Sequence, residues 1–368
     1  MDLVTRFVSK HATLPVLENV YIKASLDGLV FRAADMEKYI ELELDVRVAD
    51  EAAVTVNAKT LSDLLRTIEE EMVTLSIDQQ KDLVTLTTVQ DTFTIRGIPA
   101  VEYVAVPQIS SDQVITLDAA QFALGVGRVE YAVTEKNFSP VLTGIYVRTK
   151  TYDEKKKLVF VGTDSFRLAE YKIDFASPLE QDFGLLIPKM HIADIKKAME
   201  YFTSQGGVTL DMHVTPNMVS FDMRLQDMKI QVTTLLIQWA FPEYEKESIM
   251  PTTFLTTAQV DKTQLDKAIR KISILTRDLN NFISLQVGTQ SIAMSSWQTD
   301  MGEGSTQVTA TVSGGEVKLG VNGKYVADFL RTMQWSTLTL LINDSEKPML
   351  CKDQDDPAYT YVVRPLVK

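Results

Sequence analysis

The sequence predicts an α+β fold built from three similar domains in succession, and three observations carry that reading. A helical motif occurs three times: VNAKTLSDLLRTI at Val56–Ile68, IPKMHIADIKKAM at Ile187–Met199 and VNGKYVADFLRTM at Val321–Met333. With Asn57, Pro188 and Asn322 aligned, Asp63 falls on Asp194 and Asp328. Leu61, Leu64 and Ile68 then fall on Ile192, Ile195 and Met199, and on Val326, Phe329 and Met333. Offsets of 0, 3 and 7 place these apolar residues on one helical face. Secondly, the copies lie 131 and 134 residues apart, so the repeating unit is a whole domain, far longer than the ~20–50 residues of a solenoid repeat. Thirdly, long alternating runs with few helices between them indicate α+β, not a doubly wound sheet.

Residues 2–10 read as a short helix, with Leu3, Phe7 and Lys10 at helical spacing. Val16–Ala24 and Leu29–Ala34 are strands around an Asp27-Gly28 turn, and Tyr39–Val48 alternates strictly as a half-buried strand. After the motif helix, 58–71, come strands at Val73–Ile77, Leu83–Thr88 and Thr92–Arg96. The polar run ISSDQ (109–113) is a linker. The second domain opens with a strand, Val114–Leu117, and a helix, 118–130, with Asp118 as N-cap and Phe122, Val126 and Val129 on one face. Strands Val141–Thr149 and Leu158–Thr163, the motif helix (188–202) and three more strands through Leu236 follow. Beyond the connector FPEYEKESIM (241–250), the third domain starts with a strand at Thr253–Thr257 and a helix, 261–277. That helix aligns with the one from Asp118 at an offset of 143. Its motif helix is 323–334.

The domains are thus 1–108, 114–241 and 253–368, each with two helices and about eight mainly antiparallel strands. Pro15-Val16-Leu17 matches Pro140-Val141-Leu142 at offset 125, so the first domain lacks the strand that should precede its first helix.

The formal charge of −12 argues against a protein held on nucleic acid by general attraction. Acid and base are segregated, however: the six expected helices carry +3 together and the rest of the chain −15. A single cysteine, Cys351, permits no internal disulfide, and no apolar run approaches a membrane span, so the expectation is a cytoplasmic protein. Three scattered histidines (His11, His191, His213) make a zinc site and a Ser-His-Asp triad improbable. No phosphate-binding G-x-x-x-x-G-K-[ST] occurs. Acidic clusters such as Glu69-Glu70-Glu71 and Asp353–Asp356 read as a solvated helix end and a loop. Nothing suggests an active site or a cofactor.

VGTDSFRL at Val161–Leu168, TLPVL at 13–17, LTG at 142–144, FPEY at 241–244 and the C-terminal YVVRPLVK, in that order and spacing, resemble the bacterial DNA polymerase III beta subunit family, the replicative sliding clamps. The resemblance covers essentially the whole chain, and it implies a ring. Two three-domain chains would join head to tail as a homodimer, giving six domains with helices lining a hole and a continuous sheet outside. The lysines and arginine opposite the apolar helix stripes, Lys196, Lys197, Lys262, Lys267, Arg270 and Lys271, would face duplex phosphates without reading sequence. Lys10, His11 and Lys136 lie in loops that approach the hole in relatives.

The family's pocket for a short motif from the DNA polymerase III catalytic subunit, the clamp loader and other clients maps onto Leu142, Thr163, Ser165, Phe166, Arg167, Leu168, Pro242, Lys246, Val362, Val363, Arg364, Pro365 and Leu366. Ser165 and Phe166 stand where many relatives have Gly and His, and Arg364 where an apolar residue is usual. The subunit junction maps to Phe93 and Ile95 against Ile274 and Leu275 of the partner. The implied function is non-catalytic: encircling DNA and tethering replication proteins. The rival reading, favoured by the negative charge, is a repeat-built protein scaffold that does not encircle DNA.

Overall fold

The computed structural model describes residues 1–9, 14–107, 109, 114–135, 139–174, 182–277, 280–297 and 302–366. The first repeat begins with 3-10 turns at Val4–Phe7 and Pro15–Glu18. Strands β1 (Asn19–Ser25), β2 (Gly28–Ala34), β3 (Lys38–Leu44) and β4 (Ala52–Asn57) lead into α1 (Ala58–Thr67), and β5 (Thr74–Asp78), β6 (Leu83–Thr87) and β7 (Thr92–Pro99) follow. The second comprises β8 (Val114–Asp118), α2 (Ala119–Val129), β9 (Gly144–Tyr152), β10 (Lys155–Thr163), β11 (Arg167–Asp174), β12 (Gly184–Pro188), α3 (Lys189–Ser204), β13 (Thr209–Val214), β14 (Met218–Arg224) and β15 (Met228–Leu235). The third repeats that order: β16 (Thr256–Asp261), α4 (Lys262–Thr276), β17 (Phe282–Val287), β18 (Ser291–Ser295), β19 (Ser305–Gly314), β20 (Val317–Asn322), α5 (Gly323–Thr332), β21 (Thr337–Ile342), β22 (Met349–Asp353) and β23 (Tyr359–Val363).

Helix starts follow the capping chemistry. Asn57, Asp118, Asp261 and Asn322 each accept a backbone N–H of the first helical turn at 2.8–3.3 Å, contacts worth about 1 kcal/mol each. Some sequence-based boundaries need correction. The helix expected over 2–10 is only the 3-10 turn Val4–Phe7 among the described residues. Among the described residues the first repeat therefore has one α-helix, not two, and seven strands, the expected eight less the missing first one. The strands expected from Val16 and Val141 start at Asn19 and Gly144, because Pro15 and Pro140 each open a 3-10 turn that delays the ladder. Of Tyr39–Val48, the strand itself ends at Leu44, with one further backbone bond from Asp45 N–H to the Asp227 carbonyl. The strand expected at Thr253–Thr257 runs Thr256–Asp261 instead. The motif helices at 58–71 and 323–334 stop at Thr67 and Thr332, where Ile68 and Met333 turn extended.

All pairings are antiparallel, in two sheets that fall into two compact units. The first unit, mainly residues 1–123 and 190–238, holds the sheet β5-β6-β7-β4-β1-β2-β3-β15-β14-β13-β8. Its core includes Val20, Ile22, Ile40 and Leu61, with Phe122 edge-on to Phe221 at 5.2 Å. The second, mainly 124–174, 182–189 and 239–366, holds the sheet β12-β9-β10-β11-β23-β22-β21-β16-β19-β18-β17-β20. Here Phe329 of α5 stacks on Tyr361 of β23 at 4.8 Å.

Each unit contains one seam between repeats, and the two seams are built alike. In the first, β3 pairs with β15, from Lys38↔Thr234 to Leu44↔Met228. In the second, β11 pairs with β23, from Arg167↔Val363 to Tyr171↔Tyr359. The same turn precedes β3 and β11. Asp35 accepts from the backbone N–H groups of Glu37 and Lys38, and Asp164 from those of Phe166 and Arg167, all at 2.9–3.1 Å. Met36 and Ser165 occupy one position in it and share a left-handed φ of 77°.

Candidate functional site

The second unit carries a groove of about 470 Å³, formed where the β10–β11 turn meets β23. Leu168, Tyr244 and Val362 of its wall belong to a buried apolar cluster with Val159, Val161 and Leu350. Alternation along β10, β11 and β23 sends these side chains to one face of the sheet. Tyr244 anchors the connector over that face, donating to Glu170 at 2.7 Å and accepting from Arg148 at 2.8 Å. Its burial pushes the phenol pKa well above the ordinary value, so it stays protonated and donating.

Of the residues singled out in the sequence, Leu142, Thr163, Ser165, Phe166, Arg167, Leu168, Pro242, Val362 and Arg364 line this groove. Lys246 lines an adjoining cleft and pairs with Glu243. Val363 follows Val362 onto the other face of β23, Pro365 is buried, and the Leu366 N–H is taken by the Gly320 carbonyl. None of these four lines the groove. The structure adds Tyr244, Ser248, Ile249, Glu346 and Pro348. Tyr244 was legible as the last residue of FPEY; Glu346 and Pro348 belong to a loop that no periodicity marks.

Phe166 stands 53% exposed at the mouth, on the turn whose Asp164 Oδ1 fixes the backbone. Arg167 is held from three sides. Its guanidinium donates to Asp164 at 2.9 Å, to Asp328 at 2.7 Å and to the Tyr131 carbonyl at 2.8 Å, and lies over the Tyr325 ring. The groove is therefore apolar and largely preformed, with a few fixed polar groups, as a site for an apolar-anchored ligand should be.

The cations expected to face DNA are distributed over two helices. On α3, Lys197 is exposed and pairs with Glu200, while Lys196 is half-buried. On α4, Lys267, Arg270 and Lys271 are exposed opposite the buried Leu265, Ala268, Ile269 and Ile272. Lys262 instead donates to the Met333 carbonyl at 2.7 Å. Lys10, His11 and Lys136 lie outside the described residues. Of the junction residues, Ile274 is 60% exposed at the end of α4 and Leu275 is half-buried; Ile95 is buried and Phe93 half-buried in β7. Among the described residues no cluster of acidic, His and Cys side chains could hold a metal, and no helix is long and apolar enough to cross a membrane.

Models of the DNA polymerase III beta subunit match the chain over residues 1–107 (N-terminal domain), 116–243 (central domain) and 247–367 (C-terminal domain). The chain belongs to the DNA polymerase III beta subunit family. It is a DNA sliding clamp of replication, the non-catalytic processivity subunit of the polymerase holoenzyme, and the scaffold reading is not favoured. The clamp is 25% identical to the beta sliding clamp of Synechocystis sp. over 389 residues, covering 100% of this chain and 96% of the relative. It is 24% identical to that of Staphylococcus aureus, covering 98% and 94%. Among solved structures, DNA polymerase III subunit beta from Pseudomonas aeruginosa superimposes with a TM-score of 0.90 at 20% identity, covering 100% of this chain and 96% of that one. The Bacillus subtilis sliding clamp gives 0.89 at 21%, with the same coverage. A Bartonella birtlesii sliding clamp bound to griselimycin gives 0.90 at 20%, again with the same coverage.

Proposed function

We propose that two copies of this clamp, each with domains 1–108, 114–241 and 253–368, close head to tail into a six-domain ring around duplex DNA. The observation that carries this is the repeated seam. The strand that ends the first half of one repeat pairs with the last strand of the next in β3–β15 and in β11–β23. The remaining strands of these two kinds among the described residues are β19 and β7. Among the described residues, 305–309 of β19 pair only with β18 and 92–96 of β7 only with β6, so pairing these two segments between chains completes the series and covers their open sides. Transferring the observed registers places Ser305 opposite Thr94 and Thr306 opposite Phe93.

The side chains agree with that register. Tyr131 lies 143 residues before Ile274, the offset that aligns α2 with α4, and its ring packs 5.7 Å from Tyr361 of the following repeat. Phe93 has the register position of Tyr361, so Ile274 and Leu275 would cover Phe93 and Ile95 of the partner. In this reading the exposed Lys197, Lys267, Arg270 and Lys271, with Lys196, Lys262 and the loop residues Lys10, His11 and Lys136, face the phosphates. The groove takes a short apolar motif from the polymerase, the clamp loader and other replication proteins, in the cytoplasm.

Light scattering on the purified chain tests the ring. The native protein should be a dimer, and changing Ile274 and Leu275 together to Ala should remove well over ~2 kcal/mol of interface burial and shift it to monomer. A double variant still dimeric at sub-micromolar concentration would place the junction elsewhere. For the groove, a Gln-Leu-x-Leu-Phe peptide should bind at micromolar affinity, about −8 kcal/mol. Deleting Arg364–Lys368 should abolish binding while the fold persists; unchanged affinity by calorimetry would refute the assignment.

A further inference from the structure

Both seams inside the chain are fastened by one buried ion pair at matching positions. The residue that closes the β2–β3 turn, Lys38, reaches Asp194 of α3 at 2.5 Å, with both side chains nearly buried. The residue that closes the β10–β11 turn, Arg167, reaches Asp328 of α5 at 2.7 Å, equally buried. Asp194 and Asp328 are the aligned aspartates of the motif helix, and the third of that set is Asp63 of α1. Arg6 adds a second cation to Asp194 at 3.2 Å.

The matching segment before β19 is longer, but its two end residues are joined by the same pair of bonds. Ser296 N–H donates to the Gly304 carbonyl at 2.9 Å and Ser296 Oγ accepts from Gly304 N–H at 2.9 Å. These bonds correspond to Asp35 with Lys38 and Asp164 with Arg167. Gly304 thus holds the cation's place without a side chain. The whole segment 296–304, SWQTDMGEG, contains no Lys or Arg and two acids. Asp63 in turn is half-exposed and, among the described residues, meets only Arg66 of its own helix at 3.6 Å.

We infer that the seam between chains lacks the buried ion pair that fastens both seams within the chain, because Gly304 replaces the cation, and that the dimer is weaker for that lack. This rests on the head-to-tail reading above and specifies how its junction is weakened. The geometry leaves room for the missing group: a Cβ at Gly304 would meet the end of the flexible Leu275 side chain, at 2.8 Å, and no backbone. A desolvated cross-chain charge pair at this place would add to affinity.

Subunit exchange between fluorescently labelled full-length dimers tests this. Gly304→Arg should tighten the dimer about tenfold, the scale of coupling seen for close charge pairs at interfaces. The gain should vanish in the Asp63→Asn background. Equal tightening in both backgrounds, or none in a folded Gly304→Arg protein, would overturn the inference. A second arm does not depend on Arg being accommodated: Asp63→Asn alone should change the native dissociation constant by less than about twofold, as expected of an exposed charge. A tenfold weakening would mean that Asp63 already has a partner across the junction, and would sink the proposal. If the unmodified chain were monomeric at micromolar concentration, the head-to-tail reading itself would fall.

Discussion

Arg167, which opens β11, donates to Asp328 of α5 at 2.7 Å from a position where each side chain is about nine-tenths buried. The pair ties the second repeat to the third beside the groove, and Asp164 and the Tyr131 carbonyl satisfy the remaining guanidinium donors. Asp328→Asn leaves the cation buried with one carboxylate fewer. It should cost about 1–3 kcal/mol in chemical denaturation, because a buried donor loses its charged partner while Asp164 still faces the guanidinium. Replacing both partners with apolar residues of similar size should recover much of that loss. A single-variant cost below about 1 kcal/mol would mean that the contact behaves as an exposed pair.

The repeat, the helix caps and most strands were legible because each rests on a local rule: period 3.6 with a capping residue, or period 2 between turns. The role of Arg167 was not. In sequence, Asp164 and Arg167 look like the two ends of an exposed turn worth under ~1 kcal/mol, and only the fold brings Asp328 to them. Strands β4, β12 and β20 were hidden for a related reason: each runs directly into a motif helix, so strand and helix read as one segment. The 3-10 turns at Pro15–Glu18 and Pro140–Thr143 were absorbed into neighbouring strands, since a single turn has no period of its own. Most of the groove was found by family motifs; Glu346 and Pro348 come from a distant loop that carries none.

His191 should make the first unit sensitive to acid. Its ring is buried on α3, Nδ1 bonds Thr234 Oγ1 at 2.8 Å, and Nε2 lies 3.3 Å from Glu37. Burial holds the imidazole below its ordinary 6.5, with Asp35 and Glu37 opposing and Lys38 reinforcing that shift. A group lowered in the fold binds more protons when unfolded, so stability is present above pH 6.5 and is lost as pH falls from there toward the folded value. Unfolding midpoints measured between about pH 7.5 and pH 5 should fall less steeply for His191→Gln than for the native chain. Identical slopes would remove His191 from the account.

The first repeat should be the most labile. β13 and β21 are flanked by β8 and β16, the strands that precede α2 and α4. β5, their counterpart, has only β6 as a neighbour among the described residues and ends its sheet. An edge strand opens with less loss than an interior one. Amide exchange in Thr74–Asp78 should therefore outpace that in Thr209–Val214 and Thr337–Ile342. Equal protection would show that another part of the chain or a partner covers the β5 edge.

The central claim is that DNA is held by encirclement. With a formal charge of −12, free protein should bind short linear duplex weakly, and less so as salt rises. Retention on DNA through gel filtration at moderate salt, after loading onto nicked circles by a clamp loader, is the most direct test. The protein should stay with the circles and leave once a single cut linearises them, because a ring can slide off an end. Equal retention on linear and circular DNA would mean adhesion to the surface of the duplex, and would contradict the account.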